Sequence, residues 1–481
     1  MPFANDIAPT HCVRNAEVHL SRASGKALLA LLLSIYFFLA PLGHLYFLGP
    51  SFIWYTKMVL LVSIAFVAFL QARKIKLSKH EKRLGLLMIL TAISTIPGIL
   101  RTDSIPSWIL HVLYGPIILF ALVVADELKN YRLYLKLFLA GVLISLAVIT
   151  AHLANLVPRP PQEYIGYDYA TTRLNMFVIV GLNSSIESSF PTRVAGIIAA
   201  LFLAMTERNR KRRQVYMYFT IIISAFILFE YYYSSHGFRE EPPGRATLVF
   251  IGMAILFFLL KRKKKIYWRK VSRWIWVIVL GVPVITSYVI GIGIVDVLTD
   301  PDSARDFYWK TSEELRVLKS LVAVDMIVDR PLLGHGLGQF EGQYEDYSSW
   351  HMKERKRVMS ATGNSYLNMA VSCGIGCGLL SFLLAISAVK YAARVSAGCK
   401  SASDKSMADL LAAALFGCVF LFMFQPTIFN FATGAWWWML FAGAFCLDRR
   451  SKYMVSMEYS AIGKTKQPTN SNVVYEVTNC C

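Results

Sequence analysis

Arginine on the outward face of a membrane chain is the strongest chemical signal in this sequence. Arg173, Arg193, Arg239, Arg245 and Arg316 fall in or beside connections that the apolar pattern assigns to that face, where Lys and Arg are ordinarily scarce. A guanidinium offers a planar fork of donors that fits two phosphate oxygens at once, and it stays charged at any working pH. A diphosphate is the anion it serves best, and one carried on a membrane lipid would sit at the height of these side chains. Arg245 opens an apolar run in PPGRATLVF, and Arg316 opens the polar stretch RVLKSLVAVDMIVDR. The competing account for Arg245 is a side chain that snorkels to the headgroups, and for Arg316 a solvated helix face.

The histidines point less clearly. His236, His335 and His351 lack the mutual spacing of metal ligands, and no Cys, His or carboxylate cluster accompanies them, so no metal is expected. His335 lies in GHGLG, which reads as a flexible turn. That stretch lacks the preceding strand and the glycine spacing of a nucleotide-binding loop. An exposed imidazole there would titrate near neutral pH, as a general base must. Lys57 is read as snorkelling from the second apolar run, Trp436, Trp437 and Trp438 as an interfacial belt, and Cys373 with Cys377 as small residues sharing one helix face. The chain has eight cysteines, none of them in the polar part of the long loop, so no disulfide framework is expected.

These residues need a scaffold, and the composition supplies one. Hydrophobic residues make up 56% of the 481-residue chain, the mean hydropathy is +0.48, and the apolar residues come in runs of ~20, the length that crosses a bilayer. The expected fold is all-α and polytopic, with about twelve transmembrane helices. They lie near 27–48, 52–71, 84–100, 108–126, 137–156, 190–206, 215–233, 245–260, 274–297, 366–390, 407–424 and 434–447. The first run is read as a retained span and not as a cleaved signal. The chain thereby divides into a cytoplasmic N-terminus over 1–26, a bundle over 27–298, an outward loop over 299–365, a second bundle over 366–447 and a polar tail over 448–481, expected to be disordered from Ser451.

Basic clusters follow spans two, four, six, eight, ten and twelve, which puts them all on one side and both termini in the cytoplasm. The formal net charge of +20 is accounted for by these clusters meeting anionic headgroups, with no nucleic acid as partner. Within the outward loop, Thr311 and Glu314 form a capping-box pattern. Leu315, Leu318, Val322 and Met326 then repeat at helical spacing until Pro331. An amphipathic helix is expected from Ser312 to Arg330, laid on the bundle by that stripe, with Arg316, Lys319 and Ala323 turned elsewhere.

Three stretches, taken in this order, resemble the O-antigen ligase and O-antigen polymerase family of bacterial envelope glycosyltransferases. They are GRATLVF at Gly244–Phe250, Arg316 fifteen positions before Pro331, and GNSYLNMAVSCGIGCGLL, within a resemblance that covers roughly Arg173 to Leu380. It implies transfer of a glycan from undecaprenyl diphosphate, at the periplasmic face of the bacterial inner membrane, to another saccharide or to lipid A core. It also implies a chain-length regulator as a further partner and no cofactor. Arg173, Arg245 and Arg316 would bind the donor diphosphate, and Asn364 would stand in the catalytic motif. The chain departs from the family at Gly363, where a histidine usually precedes Asn364; His335 is then the first substitute as base, ahead of Glu341, Asp346 and His351. A transporter or flippase of lipid-linked saccharide is the alternative of another class. It would need charged or broken helices at mid-membrane, and the sequence reads as having none.

Overall fold

The computed structural model describes residues 9–42, 50–71, 78–101, 113–125, 128–153, 186–237, 251–257, 312–347, 364–424 and 435–465. Among them every regular element is a helix, as a chain that hides its backbone from hydrocarbon requires. In chain order they are α1 (Pro9–Leu39), α2 (Pro50–Gln71), α3 (Lys79–Ser94), α4 (Ile96–Ile99), α5 (Tyr114–Ala125), α6 (Leu128–Leu153) and α7 (Ile186–Thr206). There follow α8 (Arg210–Gly237), α9 (Ser312–Asp329), α10 (Phe340–Tyr347), α11 (Ser365–Cys373), α12 (Ile375–Gly398), α13 (Ala402–Phe424) and α14 (Ala435–Thr465).

Among the described residues five stretches are long and apolar enough to cross a membrane: Ser24–Leu42, Lys79–Ile99, Asn130–Val148, Ile375–Gly398 and Ala402–Met423. Shorter apolar helices occupy Tyr55–Gln71, Tyr114–Ala125 and Thr192–Thr206. Each falls on an apolar run marked in the sequence. Burial separates centre from perimeter: 78% of the Ala402–Met423 window is buried but only 22% of the Lys79–Ile99 window. The centre is α13 against α12 and α14, where Leu411, Leu415, Cys418, Leu421 and Phe422 meet Trp437, Trp438 and Phe441. α3 therefore runs at the edge.

Three sequence expectations change here. Trp436, Trp437 and Trp438 are packed inside the bundle and form no interfacial belt. Gly115 is the reason Trp438 fits, since a Cβ there would lie 2.0 Å from the indole. Lys57 does not snorkel; it is buried, with Nζ 3.5 Å from the Ala40 carbonyl oxygen at the end of α1. α14 continues as helix through Thr465 and not into a disordered tail at Ser451. Lys452 pairs with Asp448 one turn earlier at 2.6 Å, and such i,i+4 pairs extend a helix that packing has already nucleated.

The described members of the basic clusters gather at one end of the bundle. Arg132 on α6 reaches Glu207 after α7 at 3.1 Å, and Arg449 on α14 reaches Glu81 on α3 at 3.5 Å while donating to the Val123 carbonyl at 2.9 Å. Arg450 approaches Asp404 on α13 at 3.5 Å, and Arg394 on α12 meets His80 on α3. The described part of the polar loop, 312–347, lies at the other end of α3 and α12. Helix polarity and charge thus agree on which ends belong together.

Candidate functional site

At that other end the expected tenth span is not continuous. α11 stops at Cys373 and α12 starts at Ile375, with Gly374 between them at φ 94°, ψ 161°. A break inside an apolar segment frees backbone groups that water cannot reach, and something must replace the lost partners. In an unbroken helix Ile375 N–H would donate to Val371 C=O. Here it donates to the Pro331 carbonyl at 2.8 Å, and the Val371 carbonyl accepts from His335 N–H at 2.8 Å. The Ser372 carbonyl, one position on, accepts from Gly336 N–H at 2.9 Å. The GHGLG turn is therefore a strap that completes a broken helix.

Glycine makes the seating possible. Gly334 and Gly336 have φ of 64° and 116°, values only glycine adopts without strain. A Cβ on Gly334 would stand 2.5 Å from backbone atoms of Ser372 and Cys373. The turn is thus docked and not flexible, a correction to the sequence reading. A second helix disruption faces it: Pro97 cannot donate to Ile93, so α3 ends at Ser94, and Thr95 N–H turns back to the Ala92 and Ile93 carbonyls. Gly98, just beyond, lets Cys373 Sγ approach closely and accepts from Leu337 N–H at 3.2 Å. Arg101 closes the joint by donating to the Gly334 carbonyl at 2.5 Å. Cys373 and Cys377 accordingly belong to two helices, with their thiols hydrogen-bonded across the break.

His335 sits inside this joint. Its side chain is fully buried, Nε2 donates to the Met326 carbonyl at 2.8 Å, and Nδ1 pairs with Gln343 Oε1 at 2.5 Å. With Nε2–H committed, Nδ1 either accepts from the glutamine NH2 or, in the imidazolium form, donates to Oε1. Both ring nitrogens are engaged, one with α9 and the other with α10. The imidazole, expected from sequence to be exposed in its loop, is buried instead. Beside it, Tyr347 donates to Asp329 Oδ2 at 2.6 Å. That bond, helped by Arg330 and His335, holds the Asp329 carboxyl below its ordinary range.

The loop helix forms as expected, over Ser312–Asp329. It packs through Val322, Ala323 and Met326 against Val371 of α11 and Phe340 and Tyr344 of α10. Ala323 was expected to face away and is fully buried instead. It lies within one turn of both Val322 and Met326, and its small side chain permits close helix contact. Arg316 lies in the first part of this helix. Asn364 is the N-cap of α11, its Oδ1 accepting from Tyr366 N–H at 2.8 Å and Leu367 N–H at 3.1 Å. A capping role is what Asn does best at that position. Asn364 precedes Val371 by about 10 Å along the helix at ~1.5 Å per residue, so His335 is strapped some way from it. Arg193 is buried on α7 with its guanidinium 5.3 Å from the Phe226 ring centroid. Arg173, Arg239, Arg245, Gly363 and His351 lie outside the described residues.

Sequence reasoning passed over Arg101, Asp329, Gln343 and Tyr347. Only the first carried a signal: Pro97–Gly98 inside an apolar run marks a helix end, and the next charged residue is Arg101. No family model matches the chain, and no curated protein matches it.

Proposed function

We propose that the chain is a bacterial inner-membrane glycosyltransferase that polymerises O-antigen or exopolysaccharide repeat units carried on undecaprenyl diphosphate at the periplasmic face. The O-antigen ligase reaction, with lipid A core as acceptor, is the close variant. What carries the reading is the packing of α9, which bears Arg316, on α11, which Asn364 caps, at the end of the bundle away from the basic clusters. Two of the stretches that resemble the family thereby belong to one unit. On this reading the chain has about twelve spans, both termini are cytoplasmic, and the strapped loop is periplasmic.

The reaction breaks the bond between the anomeric carbon and a diphosphate oxygen and forms one from that carbon to an acceptor hydroxyl oxygen. The acceptor proton leaves to a base, and the diphosphate departs with the bonding electrons. Arg245, Arg316 and Arg173 stabilise the charge that builds on the leaving group. The donor carries the driving force, so the reaction runs without nucleotide. Purified chain in vesicles with a lipid-diphosphate-linked repeat unit should yield longer chains, or a conjugate if lipid A core is supplied. Absence of any glycosidic product with both acceptors would reject transferase activity.

One observation favours a second reading. Transporters use discontinuous helices, and the break at Gly374 facing the Pro97 kink is a pair of them, though at the end of the bundle and not at mid-membrane, where the sequence reading looked for one. Movement of unmodified donor across the vesicle membrane would select that function.

A further inference from the structure

The loop helix has an apolar face that stays exposed among the described residues. Val322, Ala323 and Met326 hold α9 to the bundle, but Val324 and Val328, one turn apart on another face, are exposed, Val328 at 73%. Leu332, at 80%, and Leu333 continue the patch into the turn after the helix. In a loop surrounded by water such a patch would be costly. Its position explains it. The Pro331 carbonyl binds Ile375 N–H, and Leu332 O lies where a Cβ on Gly374 would be, so the turn abuts the start of the α12 span.

The outward side chains of that span, Ile375 and Leu379, are exposed and apolar, as are Ile96 and Leu100 at the end of the perimeter helix α3–α4. Ile96, Ile375 and Leu379 belong to stretches long and apolar enough to cross a membrane, and Leu100 follows directly on one of them, so acyl chains suit these surfaces. Arg101 and Arg330, both exposed, stand at the rim where headgroup phosphates lie. Asp325 and Asp329, exposed on the adjoining face of α9, mark its watery side.

We infer that α9 and the turn after it form an interfacial anchor: Val324, Val328, Leu332 and Leu333 are inserted among the phospholipid acyl chains of the leaflet next to the strap. The patch is continuous with the lipid-facing surface of α12, so one occupant, the bilayer, covers both. A second copy of the chain seated on the loop would have to displace lipid from Ile375 and Leu379 as well. The inference holds whether the site transfers or translocates, because it concerns only how deep α9 lies. In either case the loop stands within the headgroup layer.

The test uses the full chain in vesicles of phosphatidylethanolamine and phosphatidylglycerol, with a diazirine-bearing amino acid in place of Val328, Leu332 or, as the watery control, Asp325. After irradiation the adducts are identified by mass. Phospholipid adducts at positions 328 and 332, at least severalfold above position 325, are expected. Water addition at 328 and 332 matching that at 325 would overturn the anchor, and so would a cross-linked dimer in place of lipid. Two apolar positions are used so that poor folding of one variant leaves the other to decide.

Discussion

Gly374→Ala should undo the strap, and glycine substitutions nearby separate the reasons. Gly374 has φ 94° and ψ 161°, a region essentially closed to residues with a Cβ, at about 1–3 kcal/mol. A Cβ there would also lie 2.2 Å from the Leu332 oxygen and 2.6 Å from its carbonyl carbon. Both are backbone atoms, so the turn must move away. Strain and displacement together should cost about 3 kcal/mol, or about 10²-fold in the docked-to-undocked ratio. Amide hydrogen exchange reads that ratio directly, because His335 N–H and Gly336 N–H are protected only by Val371 and Ser372. In Gly374→Ala these amides should exchange about 10²-fold faster. Gly338, at φ 76° with open space around it, should give an alanine variant that feels backbone strain alone, about 1–2 kcal/mol. Gly376, with no positive φ and open space, should give none. If Gly374→Ala exchanged like Gly376→Ala, the reasoning that the helix break depends on glycine would be wrong.

Other outcomes follow from the same geometry. His335→Ala removes both ring bonds from a buried site and should loosen the strap by about 2–3 kcal/mol; if His335 were instead the base, His335→Gln would cost about 10²-fold in turnover and reshape the pH profile with loop protection unchanged. Asp329 is held below its usual range chiefly by the Tyr347 hydroxyl, so its bond is present above the unfolded carboxyl value and lost as pH falls through the lower folded value. Protection factors at the strap should accordingly fail at higher pH in Tyr347→Phe than in the parent chain, and identical acid limits would remove Asp329 from the account. Arg316→Lys keeps the charge but loses the fork, so most transfer activity should disappear at unchanged protein level. Near-normal chain extension by that variant would exclude diphosphate binding at Arg316.

Periodicity made the helices legible, including the loop helix, whose capping pattern and Pro331 bound it to within a residue of the observed Ser312–Asp329. What it hid were places where local pattern and tertiary pairing disagree. SYLNMAVSCGIGCGLL reads as one apolar span because every residue suits a helix interior or tolerates it. The break at Gly374 becomes stable only when Pro331, His335 and Gly336, far back in the chain, supply partners for its backbone. The same distance dependence hid the role of His335: beside glycines it looks exposed, yet those glycines let the turn come close enough to bury it. Trp436, Trp437 and Trp438 misled for a related reason. Their composition suits an interface, but Gly115 on another helix leaves a slot that draws one indole into the core.

The strap also bears on the choice between transfer and translocation. Undocking it strands the Val371 and Ser372 carbonyls and the Ile375 amide at the end of an apolar segment, at about 1–3 kcal/mol for each group left unsatisfied. Such a joint resists relative motion of the loop, α11 and α12. A translocation cycle asks a broken helix to rearrange with every passage, whereas transfer asks that donor-binding side chains stay within fractions of an ångström of a productive geometry. Here the helix break is filled by backbone partners and closed over by a buried histidine, so its freed peptide groups are not presented to an ion or substrate. A break stabilised in that way behaves as a mount for the loop helix and Arg316, and a mount is what the transferase reading requires.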